Sequence, residues 1–345
     1  MKHPCTVLHG PQARIGVLPV CDHYSGVELR MRKSLDLQAE MIAEFGACVF
    51  DVTLDCEDGA PVGGEREHLQ MALTFAAQTM AKARRIRPDC LPRIAVRVHP
   101  VHHGAFAHEM ETLATHAGRD LCHIMLPKVE SVRDVDQALA SLSSGSSAQA
   151  PGLPLHVLLE SAGAVHHAFE IAAHPRVQSI SFGLMDFVSS HGGAIPAEAM
   201  SGEGQFVHPM VVRAKLEVAA ACHAHGKTPS HCVVTEFKNT QTVQQAARRA
   251  ACEFGYTRMW SIHPAQIRPI LAAFAPQRHA VELAAEIILK AQRENWAPIS
   301  HAGQLHDRAS YRLFWQTLEL AHRTGGWLPD PVLPLFSDIS LKQPH

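Results

Sequence analysis

The chain has 345 residues, of which 46% are hydrophobic and 19% are charged, and its formal net charge is -2. A nearly balanced charge gives no reason to expect nucleic acid or an anionic membrane as a partner. The composition is typical of a globular protein, and the length suits one large α/β domain or two small ones.

The cysteines and the amino terminus indicate a reducing compartment. The nine cysteines form no C-x-x-C pair, and several of them lie within apolar runs, which favours free thiols in the cytoplasm. The first residues lack the apolar segment of a secretory signal, and no apolar run reaches the ~18 residues of a membrane span. We therefore expect a cytoplasmic protein with no membrane partner.

Short apolar runs alternate with helical patterns along the first ~275 residues. The predicted strands cover residues 15–20, 47–54, 93–99, 123–128, 155–160, 177–186, 227–234 and 257–262. The predicted helices cover residues 26–45, 65–85, 105–117, 132–142, 162–173, 209–225 and 243–254, and a further helix opens at Pro264. Eight strand–helix repeats are typical of an α/β fold of the (β/α)₈ TIM-barrel type. A Rossmann-like sheet is the competitor, but no G-x-G-x-x-G follows the first predicted strand.

Residues 1–275 are therefore assigned to a TIM-barrel catalytic domain, and residues 276–345 to a C-terminal helical extension. The extension has helical patterns near 278–295 and 307–324, and its proline-rich tail from Gly325 is predicted to be extended. We expect it to act as a lid over the barrel mouth or to contact a neighbouring subunit. The Gly- and Ser-rich segment 189–204 is predicted to be a long, functional loop.

Two carboxylates end the fifth and sixth predicted strands, Glu160 and Asp186. The carboxyl ends of parallel strands line the active-site mouth of a barrel, so the two acids are expected to lie close together there. They would repel each other unless a proton or a cation lay between them. A hard divalent cation is the natural ligand for such a pair.

Other charged or polar residues follow the remaining strands. They are Glu57, Asp58, Arg97, Lys128, Ser261 and His263. Charged residues directly after buried runs are costly unless they are paired or bind a ligand. A structural cluster of salt bridges that closes the barrel is the alternative to an active site. Thiol catalysis by Cys56 is disfavoured, because neighbouring carboxylates raise the pKa of a thiol.

The segments around these residues resemble the motifs of the HpcH/HpaI aldolase and citrate lyase β-subunit family. They occur in family order between about residues 15 and 275, and they read DCEDG at 55–59, VRVH at 96–99, LPKVES at 126–131, LES at 159–161, FGLMDF at 182–187 and SIHPAQI at 261–267. A looser similarity covers DRASY at 307–311. Together these motifs are highly specific for the family.

The resemblance implies a (β/α)₈ barrel that assembles as a homotrimer or homohexamer and uses Mg²⁺. It places the metal ligands at Glu160 and Asp186 and the catalytic residues at Glu57, Asp58 and Arg97. It further places substrate contacts at Arg97, Gly183, Leu184 and Met185. Lys128 receives a supporting role beside these residues.

The resemblance also implies a carbon–carbon lyase that cleaves or forms a hydroxyacyl-CoA thioester, such as malyl-CoA or citramalyl-CoA, through a metal-stabilised enolate. The small-molecule partners would then be a 2-oxo acid and an acyl-CoA. Two alternatives stay open: an aldolase of free 2-oxo or hydroxy diacids, and a non-catalytic member that binds a 2-oxo acid. His99 stands where the family usually has asparagine. The seventh strand of the family normally ends near an aspartate, whereas this chain reads TPSH at 228–231. These departures favour a free-standing acyl-CoA lyase over a citrate lyase β-subunit proper.

Overall fold

A closed barrel of eight parallel strands forms the centre of the structure. The computed structural model describes residues 2–8, 18–116, 120–143 and 152–337. The barrel strands, paired in chain order, are β1 Cys21–Ser25, β2 Phe50–Asp55, β3 Ile94–Arg97, β4 His123–Leu126, β5 Leu155–Leu159, β6 Val177–Phe182, β7 Thr228–His231 and β8 Arg258–Ser261. Strand β1 pairs with both β2 and β8, which closes the barrel. The predicted (β/α)₈ fold is confirmed.

Helices connect the strands and form the C-terminal region. They are α1 Pro4–Leu8, α2 Glu28–Phe45, α3 Glu65–Ile86, α4 Phe106–His116, α5 Val132–Ser143, α6 Ala162–His166, α7 Ala168–Ala173, α8 Leu184–Ser189, α9 Pro209–Ala224, α10 Thr240–Glu253, α11 Ile267–Phe274, α12 Arg278–Arg293, α13 Arg308–Arg323 and α14 Pro334–Ser337. Short 3₁₀ helices cover Ala197–Met200, Gly204–Phe206, Pro264–Gln266 and Asp330–Val332. Within the described ranges, no helix has the length and apolar character that crossing a bilayer demands.

The first strand was predicted at residues 15–20, and this prediction is wrong. Residues 15–17 lie outside the described residues, and the strand that pairs in the barrel is β1, whose five residues are all buried. Its sequence is polar because side chains on both of its faces have polar partners, Asp22 inside the barrel and His23 against Ser34 of α2. Asp22 accepts a hydrogen bond from Thr53 Oγ1 at 2.7 Å and pairs with the Arg258 guanidinium at 2.8 Å. These partners compensate for burying the Asp22 charge. A search of the sequence for apolar runs therefore does not find this strand.

Side chains of the barrel interior form three layers, because alternate residues of a strand point to the same face. Interior side chains are recognised by their contacts with strands that are not neighbours in the sheet, because such contacts must cross the barrel interior. The deepest layer is an ion-pair network of Asp22, Asp51, His123, His156 and Arg258. The middle layer is a mainly apolar cluster of Tyr24, Met125, Leu158, Val233 and Trp260. The layer at the carboxyl ends of the strands holds Asp55, Arg97 and Glu160.

The chain divides into two compact units. The barrel unit comprises Val20–Ala273, and the second unit combines Met1–Pro19 with Phe274–His345. The second unit has its own apolar core, in which Trp315 and Tyr311 are fully buried and helices α12 and α13 pack together.

The second unit has a capped helix, α13, and is partly helical in the segment that was predicted to be an extended tail. Asp307 is the N-cap of α13, where its carboxylate accepts hydrogen bonds from the amides of Ala309 and Ser310. Because Asp330–Val332 and Pro334–Ser337 are short helices, the extended tail predicted from Gly325 is wrong for these segments. Prolines stand at the first helical positions here, where they are well tolerated. The last eight residues of that prediction, 338–345, lie outside the described residues.

Candidate active site

The Asp55 carboxylate organises the turn that follows β2. Its Oδ1 atom accepts a hydrogen bond from the Glu57 amide, and its Oδ2 atom accepts one from the Gly59 amide, each at 3.0 Å. A Cβ atom on Gly59 would lie 2.1 Å from Asp55 Oδ2, so this close approach requires glycine. The DCEDG segment therefore folds as a tight turn around a buried carboxylate.

Arg97, the last residue of β3, is clamped by the same turn. Its Nε and Nη2 atoms donate to the two oxygens of Asp55 at 2.7 and 2.6 Å, and Nη1 lies 2.9 Å from Glu57 Oε2. Burial opposes the charge of Arg97, but Asp55 and Glu57 outweigh it and hold the pKa of the guanidinium above its usual value. Three of about five N–H donors are engaged. The guanidinium is therefore fixed in position and keeps donors for a ligand.

Lys128 closes the other side of the turn. Its Nζ atom lies 2.5 Å from Glu57 Oε1 and 3.2 Å from Asp58 Oδ2. Burial works against the charged amine, yet the two carboxylates raise the pKa of Lys128 above its usual value. Its backbone has φ 51°, a left-handed conformation that non-glycine residues adopt rarely and that often marks functional sites. Glu57, Asp58, Arg97 and Lys128 thus form an ion-pair network, as the structural alternative had proposed.

Glu160 differs from this network because part of its carboxylate has no partner. The residue follows β5 and is 5% exposed, and its Oε2 atom is buried with no hydrogen-bond partner among the described residues. Burial, and then the nearby Asp186 carboxylate, raise the pKa of Glu160 well above its usual value. A buried, unpartnered carboxylate oxygen next to a second acid is an arrangement that a bound cation would stabilise.

The end of β6 brings Asp186 towards Glu160 through a helix rather than a strand. The strand was predicted to continue to Asp186, but it ends at Phe182, and Asp186 lies in the first turn of α8. Gly183 connects the two elements. A Cβ atom there would lie 2.4 Å from Glu160 Cγ and 2.6 Å from Glu160 Oε1. The absence of a side chain at Gly183 therefore makes the space that Glu160 occupies.

The donor set of Glu160 and Asp186 fits a hard divalent cation, because such cations bind carboxylate oxygens. A second group of potential ligands, Asp22, His123 and His156, lies deeper in the barrel, with ligand atoms within 4.8 Å of one another. There a cation would meet the guanidinium that pairs with Asp22, and the two imidazoles stack with ring centroids 3.5 Å apart. Lone pairs of stacked rings run parallel instead of converging. The mouth of the barrel is therefore the better cation site.

The structure places the predicted site residues unequally. At the mouth it brings together Glu57, Asp58, Arg97, Lys128, Glu160, Gly183 and Asp186. Leu184 is buried under the start of α8, whereas Met185 is 44% exposed. These positions are compatible with the predicted substrate contacts at Gly183–Met185, which stay predictions.

His99 and the SIHPAQI segment have structural partners. The His99 Nδ1 atom lies 2.7 Å from Glu109 Oε1, and its ring stacks on His103 with centroids 4.1 Å apart. The Gln266 side chain accepts from the Ile262 amide at 2.9 Å and donates to the Val234 carbonyl at 2.6 Å, so it ties the ends of β8 and β7 together. This segment therefore shapes the barrel rim.

Segment 189–204 is more ordered than the predicted loop, since it contains a 3₁₀ helix and is followed by another. The second one anchors it. Gln205 Oε1 accepts from the buried Lys215 amine at 2.7 Å, and the Phe206 ring lies between the Lys215 amine at 4.1 Å and the Arg249 guanidinium at 4.5 Å. The segment is thus fixed at the end of β6 and β7.

Sequence reasoning missed Asp55, Tyr24 and Trp260. Asp55 ends β2 and could have been found, because it stands directly before the charged residues that were singled out. Tyr24 was missed because β1 was placed in the wrong segment. Trp260 directly precedes Ser261, and its orientation into the barrel interior follows only from the register of β8 with β1.

Comparison with known proteins agrees with this architecture. The sequence profile of the HpcH/HpaI aldolase/citrate lyase family matches residues 36–264. An L-malyl-CoA/beta-methylmalyl-CoA lyase from Rhodobacter capsulatus is 29% identical over 233 residues, which are 64% of this chain and 73% of that protein.

Two solved structures extend the comparison over most of the chain. A citrate lyase from Burkholderia xenovorans LB400 is 44% identical, with a TM-score of 0.78 and coverage of 97% of this chain and 100% of that one. The CitE protein of Mycobacterium tuberculosis, in complex with magnesium, acetoacetate and coenzyme A, is 21% identical and has a TM-score of 0.61. It covers 88% of this chain and 98% of its own, and it shows a shared fold.

The barrel, the order of the motifs and the profile match over residues 36–264 all agree with the predicted resemblance. The chain belongs to the HpcH/HpaI aldolase/citrate lyase family, a family named for enzymes that break carbon–carbon bonds.

Proposed function

We propose that the protein is a Mg²⁺-dependent carbon–carbon lyase that cleaves or forms a hydroxyacyl-CoA thioester of the malyl-CoA or citramalyl-CoA type. The observation that carries the proposal is the unpartnered, buried Oε2 atom of Glu160 beside Asp186, at the same barrel end as the clamped Arg97. A structural cluster alone would leave no reason for an orphaned carboxylate oxygen.

Glu160 and Asp186 would hold the magnesium ion. When bound, the ion supplies Lewis-acid polarisation of substrate oxygens and stabilises negative charge that develops on them. The magnesium in the M. tuberculosis CitE complex supports this assignment. The carboxylates' own contribution is to bind and orient, because Gly183 leaves room for Glu160 and α8 carries Asp186.

Arg97 would bind the substrate and stabilise the oxyanion. Its guanidinium is held by Asp55 and Glu57, so no reorganisation is needed as charge develops on the substrate. Both Glu57 oxygens have partners, Lys128 on one side and Arg97 on the other. This pairing favours a role for Glu57 in positioning Arg97, with Asp58 and Lys128 holding the turn.

A groove on the outside of the barrel supports a CoA thioester as substrate. It has a volume of about 560 Å³ and lies near the starts of α2, α3 and α4, where Arg32, Arg66 and His108 line it together with Glu28 and Glu67. Arg32 pairs with Glu28 at 3.0 Å. Helices start at the end of the barrel where strands finish, so the groove lies on the same side as the site. Arg66 and His108, which form no ion pair within the described residues, suit a phosphate. The coenzyme A bound to M. tuberculosis CitE supports the same substrate class.

Arginines at the end of α3 are less suited to this role. Arg84 pairs with Asp120 at 2.8 Å, and the Arg87 guanidinium donates to the Ile42 carbonyl at 2.9 Å. The end of α3 leads to the start of β3, on the opposite side of the barrel from the mouth.

Product analysis tests the proposal. The purified chain is incubated with malyl-CoA and citramalyl-CoA, with and without Mg²⁺, and CoA species and 2-oxo acids are quantified by chromatography. We expect an acyl-CoA and a 2-oxo acid in equal amounts, only with Mg²⁺. Retro-aldol cleavage of free hydroxy diacids without turnover of the thioesters would replace the proposal by the aldolase alternative. Release of free CoA alone would indicate thioester hydrolysis, and would also contradict it.

We further propose that the protein forms a homotrimer or homohexamer in the cytoplasm, since the resemblance to the family implies such an assembly. Light scattering on the purified chain measures the assembly, and a monomer would contradict it.

A further inference from the structure

The middle layer of the barrel interior forms the floor of the candidate site. This floor cluster consists of Tyr24, Met125, Leu158, Val233 and Trp260. The centre of the Arg97 guanidinium lies 5.4 Å from the centroid of the Tyr24 ring. The rings of Tyr24 and Trp260, on neighbouring strands, meet edge to face with centroids 4.8 Å apart. Tyr24 is thus adjacent both to Trp260 and to the clamped arginine.

Both aromatic residues carry a buried hydrogen-bond donor that has no partner. Tyr24 is 4% exposed and Trp260 is 8% exposed, and within the described parts of the chain neither Tyr24 Oη nor Trp260 Nε1 makes a hydrogen bond. Leaving a buried donor unpaired costs about 1–3 kcal/mol. Polar groups of this kind are usually satisfied by a ligand or water when they persist in a native structure.

Two other side chains of β1 have polar partners. Two residues before Tyr24, the Asp22 carboxylate is bound by Thr53 and Arg258. Next to Tyr24, the His23 Nδ1 atom lies 2.8 Å from Ser261 Oγ. Asp22 and His23 therefore have partners, whereas Ser25 Oγ, His123 Nε2 and His156 Nδ1 are buried without a hydrogen-bond partner among the described residues.

We infer that the Tyr24 hydroxyl and the Trp260 indole N–H bind an oxygen of the 2-oxo acid that the lyase releases or condenses, while Met125, Leu158 and Val233 contact its carbon skeleton. This inference rests on the proposed function and names the groups that select the acid fragment. A phenol donor next to a guanidinium, with an indole donor beside the phenol ring, favours an anionic or carbonyl oxygen over an alkyl group. Burial, and then the charge of Asp22, raise the pKa of Tyr24 well above its usual value, so the phenol stays a donor.

Two tyrosine-to-phenylalanine variants distinguish a role of the Tyr24 hydroxyl in ligand binding from a role in folding stability. Tyr24→Phe removes the unpartnered hydroxyl and keeps the ring. Tyr256→Phe is the matched control, because Tyr256 is equally buried but its hydroxyl donates to the Lys215 carbonyl at 2.9 Å. Melting temperatures of the free proteins are measured by calorimetry, and dissociation constants for pyruvate and glyoxylate are measured by titration calorimetry with Mg²⁺ present.

We expect Tyr24→Phe to weaken binding of at least one of these 2-oxo acids about tenfold, without lowering the melting temperature, since the free protein loses no hydrogen bond. Tyr256→Phe should lower the melting temperature by about 2–4 °C and leave binding unchanged. Binding by Tyr24→Phe within twofold of the wild type for both acids would overturn the inference, and so would equal weakening in both variants. If the wild type binds neither acid, the proposed function fails, and the inference fails with it.

Discussion

Asp55 and Arg97 form a two-bond ion pair across neighbouring strands, with Nε–Oδ1 and Nη2–Oδ2 distances of 2.7 and 2.6 Å. The two residues are register partners at the ends of β2 and β3. The pair is almost completely shielded from water, as the Asp55 side chain is 3% exposed and the Arg97 side chain is 7% exposed. The Asp55 carboxylate also holds the turn that follows β2. The position of the Arg97 guanidinium and the conformation of this turn therefore both depend on Asp55.

Replacing Asp55 with asparagine should destabilise the fold. Removing one charge of a buried pair leaves the other uncompensated, and we expect the free energy of unfolding to fall by about 3 kcal/mol. Asp58→Asn is the control, because its carboxylate is 58% exposed and pairs with a partly exposed Lys128, so the loss should stay below about 1 kcal/mol. Urea denaturation measures both values. Equal losses would show that burial of the Asp55–Arg97 pair does not matter.

Asp186→Asn should abolish tight Mg²⁺ binding and lyase activity, because one of two anionic ligands is lost. The melting temperature without metal should not fall, since Asp186 is only partly buried and its charge acts against Glu160. Titration calorimetry with Mg²⁺ measures affinity. Asp136→Asn, an exposed site on α5 with a side chain 62% exposed, serves as the control. Unchanged affinity in Asp186→Asn would refute the ligand assignment.

Gly183→Ala should displace Glu160 and weaken Mg²⁺ binding. The backbone there has φ -95° and ψ 93°, which alanine can adopt, so the effect comes from the Cβ atom 2.4 Å from Glu160 Cγ. We expect Mg²⁺ affinity to fall at least about tenfold, a change of ~1.4 kcal/mol. At Gly104 an added Cβ would have no neighbour within 4 Å, so Gly104→Ala should bind Mg²⁺ normally. Identical affinities for the two variants would contradict the prediction.

The contribution of Lys215 to stability should rise with pH above about 8, in opposition to the buried thiols, whose raised pKa values make stability fall as the pH rises. Burial lowers the pKa of Lys215 to about 8, whereas an unfolded lysine has a pKa of about 10.4. Between these values the unfolded chain binds a proton that the folded chain does not, so the contribution of Lys215 to the free energy of unfolding increases with pH. It is fully present above pH ~10.4 and is lost as the pH falls through about 8.

Chemical denaturation between pH 7.5 and 10 checks this contribution, which amounts to roughly 2–3 kcal/mol over the full interval. Lys215→Met should remove that part of the slope, and Lys82→Met, at an exposed position of α3, should retain it. Because the buried thiols give a slope of their own, the test is the difference between variants, and an identical slope in the wild type and in Lys215→Met would contradict the prediction.

Much of the fold could be predicted from the sequence, because strand-length runs and helical periodicity are local properties. The barrel and the family are confirmed, and the predicted ends of β3 and β5 lie two residues and one residue beyond the observed ends at Arg97 and Leu159. The errors fall where local pattern and tertiary environment disagree. Strand β1 is polar because Asp22 has partners on β2 and β8, and the run to Asp186 is apolar although α8 begins after Gly183.

The sequence by itself determined the order of the strand–helix units and which acidic and basic residues follow the strands. Only the tertiary structure decided how these residues pair, because closure of the barrel brings together side chains that are far apart in the chain. Arg97 binds Asp55 across 42 positions, Lys128 binds Glu57 across 71, and Arg258 binds Asp51 across 207. No local pattern records such distances. The same closure leaves Glu160 Oε2, Tyr24 Oη and Trp260 Nε1 without a hydrogen-bond partner in the part of the chain that the structure describes.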